Sequence, residues 1–596
     1  MIGILPTTTQ HHHELVSPGV EPVPVGYSWP VATLVLGPVL RHLDARRATV
    51  WVETDAPCEV EVLRCRDRTF SVDGHHYALV VVDGLEPGIT RPYEVHLDGQ
   101  RVWPLADSTM PPSVLRPPRP GDPFELVFGS CRVTGPHEVL PTSTRGFGRR
   151  SQDVDALRAY GLRMCDLAPE QWPDALLLLG DQIYADDVPP ETEQFIANRD
   201  VEHDAPADEI ADFEEYTRLY REAWSDPVVR WLLSTVPVSM IFDDHDVRDD
   251  WNTSAAWVET MRRKPWWDSR IVGGLMSYWV YQHLGNLSPD DLLDDEQYLA
   301  VRAAGDGSNI LRAYARRADR ETDGVRWSYL RDFGRVRLIV IDTRCGRVLT
   351  SPSHRRMIDD EEFSWLEEHA AADVDHVLLA TTLPYLLPPA LHHLEAWNEA
   401  VCAGRWGRAA AWAGEHIRQG LDLEHWAAFE HSFNRLGRLI RSVASGRSGS
   451  APASIVVLSG DVHHAYVSRL HDPTSDKEWT STVAQVVSSP LRHPMPPPLQ
   501  WIYRVMLGRR FTRFTRRLAQ GAGVEEPSMS WNVDEGPWFD NQIGTLTVDG
   551  RAATFTLERS YLDGEAARLE TLLETSLTGD RDWPTLIART RESAAR

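Results

Sequence analysis

The chain has 596 residues, more than one hydrophobic core usually serves, so we expect two or more domains. Its 42% hydrophobic and 25% charged residues are typical of a globular protein. The net charge of −26 disfavours a nucleic-acid partner, because such a surface repels phosphate backbones. For the same reason, a phosphate-ester site in this chain would need local cations.

The six cysteines are scattered, which argues against a disulfide framework and favours a reducing compartment. The sequence has neither an apolar run of about 20 residues nor a recognisable signal peptide. We therefore expect a cytoplasmic protein, and a monomer.

Residues 1–32 are expected to form an N-terminal tail. Residues 33–118 contain short alternating segments, such as 48–54 and 59–63, that are bounded by turn residues. This pattern predicts an all-β sandwich domain of fibronectin type III-like or immunoglobulin-like type. The prolines between 111 and 120 predict a stiff linker after it.

Residues 119–596 alternate between strand-like and helix-like segments, which predicts an α/β core of sheets covered by helices. The helix candidates include 361–371 and 425–445. A β-hairpin with an Asp549-Gly550 turn is expected near the end, followed by a helical tail. The strand candidates are 124–131, 175–181, 237–245, 337–343, 377–382 and 455–461.

Four of these predicted strands end in side chains that bind metals. Ligand sites of α/β proteins form at the carboxyl ends of strands, so we expect the four ends to meet around one metal cluster. Each motif alone also has a structural explanation, as a helix cap or a packing residue. The side chains concerned are Cys131, Asp181, Tyr184, Asp243, Asp244, His245, Asp461 and His463.

The residue types suggest separate roles. Asp181 can bridge two cations through its two oxygens, and Tyr184 would bind only beside a cation charged enough to stabilise a phenolate. The carboxylates around His245 would raise its pKa and keep it protonated as an acid for a leaving group. The planar fork of Arg132 suits phosphate oxygens, with a salt bridge as an equal alternative.

In their order along the chain, these segments resemble the PhoD-like alkaline phosphatases of the calcineurin-like metallophosphoesterase superfamily. The resemblance spans about residues 33–561 and implies a metallophosphoesterase core of two packed mixed sheets flanked by helices. It also implies a metal-dependent hydrolase of phosphoric esters, in which a metal-bound hydroxide attacks phosphorus in line. It rests on Ser130-Cys131, Gly180-Asp181 with Tyr184, Asp243-Asp244-His245-Asp246, Asp342-Thr343-Arg344 and Gly460-Asp461-Val462-His463.

The resemblance implies a ferric ion with one or two divalent ions, preferably Ca²⁺, with Mn²⁺ or Mg²⁺ as alternatives. Secreted members of the family carry a twin-arginine signal that this sequence lacks, which leaves a secreted or periplasmic location as the alternative. Asp244 is favoured over Asp243 by its spacing to His245. On the ferric side the implied ligands are Cys131, Asp181, Tyr184 and His463, and on the divalent side Asp181, Asp244 and Asp461.

Two functional alternatives remain open. One is a phosphodiesterase or phospholipase D-like activity on phospholipid or polymer diesters, and the other is a non-catalytic binding protein with a relic metal site. The basic, aromatic segment Arg504 to Leu518 could contact an anionic membrane or a polyanion. We expect its arginines to pair instead with the protein's own carboxylates, and therefore predict weak or no vesicle binding.

Overall fold

The computed structural model describes residues 32–135, 154–199, 205–350, 354–471 and 479–579. The predicted N-terminal tail lies almost wholly outside the described residues, as do residues 580–596. No helix in the described ranges has both the length and the apolar content needed to cross a bilayer.

Residues 34–115 form an all-β region whose two main sheets are antiparallel and have the orders β1-β2-β6-β5 and β4-β3-β8-β9. Fully buried valines such as Val52 and Val60 make a core that the two sheets share. The all-β prediction is confirmed. The strands are β1 (Leu34–Leu43), β2 (Ala48–Thr54), β3 (Glu59–Val62), β4 (Cys65–Arg68), β5 (Phe70–Val72), β6 (His75–Val82), β7 (Arg91–Pro92), β8 (Val95–Leu97), β9 (Gln100–Trp103) and β10 (Val114–Leu115).

The segment predicted as a linker is part of the folded structure. Its strand β10 pairs with β7, and Ser113 lies 2.5 Å from the hydroxyl of Ser234. The sheet β1-β2-β6-β5 also contacts the following region, because its residues Trp51 and Tyr77 pack against Tyr281. The N-terminal region is therefore packed against the rest of the chain.

The remaining strands fall in the predicted alternation with helices. The strands are β11 (Phe124–Gly129), β12 (Ala175–Leu179), β13 (Val238–Ile241), β14 (Tyr329–Phe333), β15 (Val336–Ile341), β16 (His376–Thr381), β17 (Ser454–Ser459), β18 (Ala465–His471), β19 (Thr482–Val487), β20 (Ser530–Trp538), β21 (Gln542–Asp549), β22 (Ala552–Asp563) and β23 (Ala566–Ser576).

The helices cover the sheets. Single 3₁₀ or π turns lie at Pro169–Gln171, Tyr278–Gln282, His283–Asn286 and Trp426–Ala428. The α-helices are α1 (Ala156–Cys165), α2 (Pro190–Asn198), α3 (Phe213–Trp224), α4 (Pro227–Thr235), α5 (Ala255–Arg262), α6 (Trp267–Ser277), α7 (Asp291–Asp294), α8 (Glu296–Ala304), α9 (Ser308–Arg320), α10 (Asp360–Ala370), α11 (Pro389–Cys402), α12 (Arg408–Gly420), α13 (Glu430–Ala444), α14 (Pro497–Met506) and α15 (Arg509–Gly521).

Two mixed sheets pack against each other. One has the order β13-β12-β11-β21-β22-β23, and the other has the order β14-β15-β16-β17-β19-β18-β20. Alternate residues of each strand point to opposite faces, so Leu126 and Leu378 meet in the shared core. On the far face of the second sheet, Ile339 and Val457 pack with Phe433 of α13. The predicted mixed sheets flanked by helices are therefore confirmed.

All six strand candidates of the core are confirmed, and the two helix candidates appear as α10 and α13. The C-terminal hairpin is larger than expected, because β23 extends it into a three-stranded antiparallel meander. Residues 566–576, which follow the predicted hairpin, form strand β23 and not a helix, so no helical tail begins there; residues 580–596 lie outside the described part of the chain.

Candidate metal centre

The ends of β11, β12, β13 and β17 meet at one edge of the packed sheets, as predicted. Several candidate ligands there have a left-handed backbone, which is uncommon outside glycine and is held only where the surroundings impose it. Such conformations concentrate at functional sites. The φ angles are 56° at Cys131, 51° at Asp181, 64° at Asp461 and 51° at His463.

Two glycines allow the strand ends to approach each other closely. A Cβ atom on Gly180 would lie 2.4 Å from the Cβ of Asp243, and one on Gly460 would lie 2.1 Å from the hydroxyl oxygen of Ser130. Neither position could accept a side chain without moving its neighbour. The close approach of the strand ends therefore explains why glycine precedes Asp181 and Asp461.

One side of the site, here called the thiol cluster, comprises Cys131, Asp181, Tyr184 and His463. Ligand atoms of Cys131, Asp181 and His463 all lie within 4.8 Å of one another. The Tyr184 hydroxyl lies 3.5 Å from Oδ2 of Asp181. The expected proximity of these four side chains is confirmed, whereas their roles as ligands stay a prediction.

His493 joins this cluster and was missed by the sequence analysis. Its Nδ1 lies 3.2 Å from the Tyr184 hydroxyl, and its ring centroid lies 4.3 Å from that of His463. Ser489 donates to the Cys131 sulfur at 3.3 Å. Both residues follow β19, whose apolar run Val483–Val487 was not recognised as a fifth strand ending at this edge.

The other side, here called the carboxylate cluster, comprises Asp243, Asp244, Asp461 and Glu424. The guanidinium of the fully buried Arg344 lies among them, and that of the buried Arg347 pairs with Glu424 at 2.9 Å. Arg344 pairs with Asp243 and Glu424, and its Nη2 lies 3.1 Å from Asp244 and 3.7 Å from Asp461. Arg344 belongs to the Asp-Thr-Arg motif noted in the sequence, but the motif alone did not predict a role for this arginine. Internal cations thus offset part of the negative charge here.

His425 supports the Asp461 carboxylate from behind. Its Nε2 lies 3.3 Å from Oδ2 of Asp461, and its Nδ1 lies 2.7 Å from Oε1 of Glu395. Burial disfavours the charged ring, but Glu395 and Asp461 outweigh it and raise the pKa of His425 well above its usual value. The sequence analysis missed His425 because it follows a helix and not an apolar strand.

His245 is fixed by Asp186, a second carboxylate that the sequence analysis missed. The Nδ1 atom of His245 lies 2.9 Å from Oδ1 of Asp186, and the ring lies 4.6 Å from that of Tyr184. Burial opposes protonation, but the charge and hydrogen bond of Asp186 raise the pKa of His245 well above its usual value. A protonated ring agrees with the acid role predicted for it.

Asp246 has a structural role in the motif. One of its oxygens accepts backbone N–H bonds from both Asp181 and Asp243, each at 2.9 Å. Its other oxygen accepts from Gln282 at 3.0 Å. Asp246 therefore ties the ends of β12 and β13 together, which holds the two neighbouring carboxylates in place.

The contacts of Arg132 correct the role of phosphate clamp that was expected for it. Its buried guanidinium donates to Asp155 at 2.9 Å and to the carbonyl oxygen of Ala223 at 2.9 Å. These partners make it a brace between elements of the core, and the geometry gives no support to a phosphate clamp. The arginine that faces the candidate site is Arg344.

The donor set fits cations. Oδ1 of Asp181 and Oδ2 of Asp243 are buried without a hydrogen-bond partner in the described structure, and Oδ1 of Asp244 faces only the Arg344 guanidinium, at 3.1 Å. Burial and the neighbouring carboxylates raise the pKa of Asp181 well above its usual value, and burial likewise raises those of Cys131 and Tyr184. A bound cation would reverse these penalties. The carboxylate and phenol oxygens suit hard or high-valent ions, and the thiol adds a softer donor.

Two family models match segments of this chain, and a solved structure resembles most of it. Residues 158–303 match the family model of the PhoD-like phosphatases, and residues 31–115 match a domain of unknown function, DUF7800. A solved structure titled "Structure of PhoD" is 15% identical, covers 93% of this chain and 91% of that chain, and has a TM-score of 0.53. A maltogenic amylase from S. marinus is 9% identical, covers 90% of this chain and 81% of that chain, and has a TM-score of only 0.14, which is too low to indicate a shared fold. No curated protein matches.

The predicted resemblance to the PhoD-like phosphatases is confirmed by the family match and by the likeness to the PhoD structure. The matched segment contains Asp181 and Tyr184 of the thiol cluster, Asp243 and Asp244 of the carboxylate cluster, and His245. The family match supports a phosphatase-type hydrolase, and the structural likeness gives the fold.

Proposed function

We propose that this protein is a metal-dependent hydrolase of phosphoric esters. The observation that carries the proposal is the position of Asp181. Its carboxylate belongs both to the donor group with Cys131 and His463 and to the group with Asp243 and Asp244. A buried carboxylate shared by two donor groups of different chemistry is suited to bridging two different cations.

The two clusters suggest how the ligands divide. Cys131, Asp181, Tyr184 and His463 would hold a ferric ion, whose charge suits thiolate and phenolate donors. Asp181, Asp244 and Asp461 would hold a divalent ion, preferably Ca²⁺, which takes oxygen ligands. When bound, two such cations supply an activated water and neutralise charge during an in-line displacement at phosphorus.

The protein's own groups would orient the reaction and move the proton. Asp186 fixes Nδ1 of His245, which leaves Nε2 on the other side of the ring to protonate a leaving oxygen. The His245 side chain is one-fifth exposed, and its Nε2 lies 3.7 Å from Oδ1 of the exposed Asp249. Arg344 keeps the Asp244 and Asp461 carboxylates in place and limits their mutual repulsion.

We also propose the finer fold assignment. Two mixed sheets packed on each other, with the site at their strand ends, support a metallophosphoesterase core. Two antiparallel sheets that share one core support an N-terminal sandwich of fibronectin or immunoglobulin type.

The test combines elemental analysis with turnover of p-nitrophenyl phosphate, a monoester, and bis-p-nitrophenyl phosphate, a diester. We expect stoichiometric iron, a second cation, and hydrolysis that is lost when a chelator removes metal and regained on adding it back. Asp563→Ala, at an exposed position of β22, is the matched control for site variants. A protein that purifies without metal and hydrolyses neither ester would contradict the proposal and favour a relic site. The ratio of the two rates decides between monoesterase and diesterase.

A further inference from the structure

Helix α14 and the start of α15 present large apolar side chains to solvent. No residue of α14 is buried. Of the thirteen large apolar side chains that are exposed in the described part of the chain, five lie between residues 499 and 514. Their exposed fractions are 51% for Leu499, 67% for Trp501, 46% for Ile502, 53% for Val505 and 55% for Phe514.

Four of these apolar residues lie on one half of the surface of α14, and Phe514 lies in α15. Residues three and four apart are neighbours on a helix, which groups Leu499 with Ile502 and Trp501 with Val505. Tyr503, which neighbours Leu499 at the edge of this apolar group, has its ring centroid 4.2 Å from that of His464. The helix thus contacts the rest of the molecule through Tyr503 and Arg504, while its apolar side is exposed with respect to the part of the chain that the structure describes.

The same two helices carry six arginines, and most of them lack the expected internal partners. Within the described residues only Arg516 forms an ion pair, with Glu526 at 3.3 Å, and Arg504 lies over the ring of Phe539 at 4.8 Å. The expectation that the protein's own carboxylates occupy these arginines therefore holds for one of them. The arginines with no ion pair there are Arg504, Arg509, Arg510, Arg513 and Arg517.

We propose that α14 and α15 form a docking surface for an anionic lipid membrane. Such a surface needs apolar and aromatic groups that enter the headgroup boundary, together with cations that face acidic headgroups. A soluble polyanion would neutralise the arginines but would leave Trp501 and its apolar neighbours in water. A net charge of −26 disfavours adsorption elsewhere on the molecule, so the basic helices set the orientation.

The docking surface borders the candidate site. Tyr503 contacts His464, the residue after His463, and α14 follows His493 by only three residues. A protein bound through α14 would therefore hold the metal centre near the lipid surface. The docking proposal does not depend on the proposed function, because binding is measured without turnover.

The experiment is co-sedimentation of the intact protein with vesicles of pure phosphatidylcholine and with vesicles of equal parts phosphatidylcholine and phosphatidylglycerol. We expect binding to the anionic vesicles only, weakening as salt is raised. Two variants separate the contributions of charge and apolar contact. One is Trp501→Ser, and the other changes Arg509, Arg510, Arg513 and Arg517 to Gln.

The arginine variant should lower the partition coefficient by at least about tenfold, because each cation near an anionic surface adds measurably to binding. Trp501→Ser should also weaken it. A matched control places the same charge change on the N-terminal sheets and should bind like the unaltered protein; it changes Arg64, Arg66, Arg68 and Arg101 to Gln.

Three results would overturn the proposal. The first is no binding to anionic vesicles, and the second is an equal loss of binding in the control variant. The third is vesicle binding that is unchanged by Trp501→Ser and is inhibited by added polyphosphate. The last result would identify a soluble polyanion as the partner. Hydrolysis of p-nitrophenyl phosphate should be unchanged in both variants, which keeps a failure of docking distinct from a failure of the site.

Discussion

The two sides of the candidate site differ in how they manage negative charge. Among the described residues, no arginine or lysine pairs with the buried thiol, phenol and carboxylate of the thiol cluster, where the basic groups are the imidazoles of His463 and His493. The carboxylate cluster, in contrast, surrounds Arg344. Arg347, paired with Glu424, and His425, behind Asp461, add further internal cations on this side. The difference indicates that the thiol cluster depends on a bound cation for charge balance, and that the carboxylate cluster depends on one only in part.

The largest effect is expected at the residue that both sides share. Asp181→Ala should reduce hydrolysis to background and release both cations, because the bridging oxygens are lost. Metal content and turnover of the purified variant measure this. Retention of iron with only the divalent ion lost would show that Asp181 serves one side alone. Asp563→Ala should keep both cations.

His245→Ala should lower turnover by about 10²–10⁴-fold, the usual contribution of a general acid. Metal content should stay unchanged, because we assign the residue to proton transfer and not to ligation. Asp186→Asn is the informative partner variant, since it keeps His245 but removes the charge that raises its pKa. Loss of metal in His245→Ala would mean that His245 is a ligand, which its position near Asp244 and Asp249 permits.

Arg344→Met should destabilise the fold by about 3–5 kcal/mol, because removing one partner of a buried ion pair leaves the other uncompensated. Thermal unfolding with and without added Ca²⁺ measures this. Ca²⁺ should recover more stability in the variant than in the unaltered protein, since it replaces part of the lost charge. Equal recovery in both would show that Arg344 and the divalent ion do not act on the same carboxylates.

His425→Gln should have the smallest effect and should separate the two sides. The ring orients Asp461, and such supporting partners typically contribute about 10–100-fold in metal affinity. We expect weaker divalent binding with iron unchanged, measured by titration of the apoprotein with Ca²⁺ and by iron analysis. A parallel loss of iron would contradict the division into two sides.

The sequence predicted the strands of the core and the proximity of their ends because apolar runs that stop at glycine are local signals. His493 was not predicted, because β19, the strand that precedes it, was not recognised in the sequence. His425 and Glu395 lie on or beside helices, and only the packing of distant elements brings them to Asp461. The roles of Arg132 and Arg344 are set by tertiary partners 23 and about 100 residues away, and no local pattern shows them.

The central claim is that the two sides bind chemically different cations that share Asp181. Anomalous diffraction at the iron absorption edge from crystals of the native protein tests it most directly. The account predicts one iron peak bonded to Cys131 and Tyr184, with a second cation that gives no iron signal between Asp181 and Asp461. Iron among the carboxylates, or no iron at the thiol cluster of an active enzyme, would contradict it.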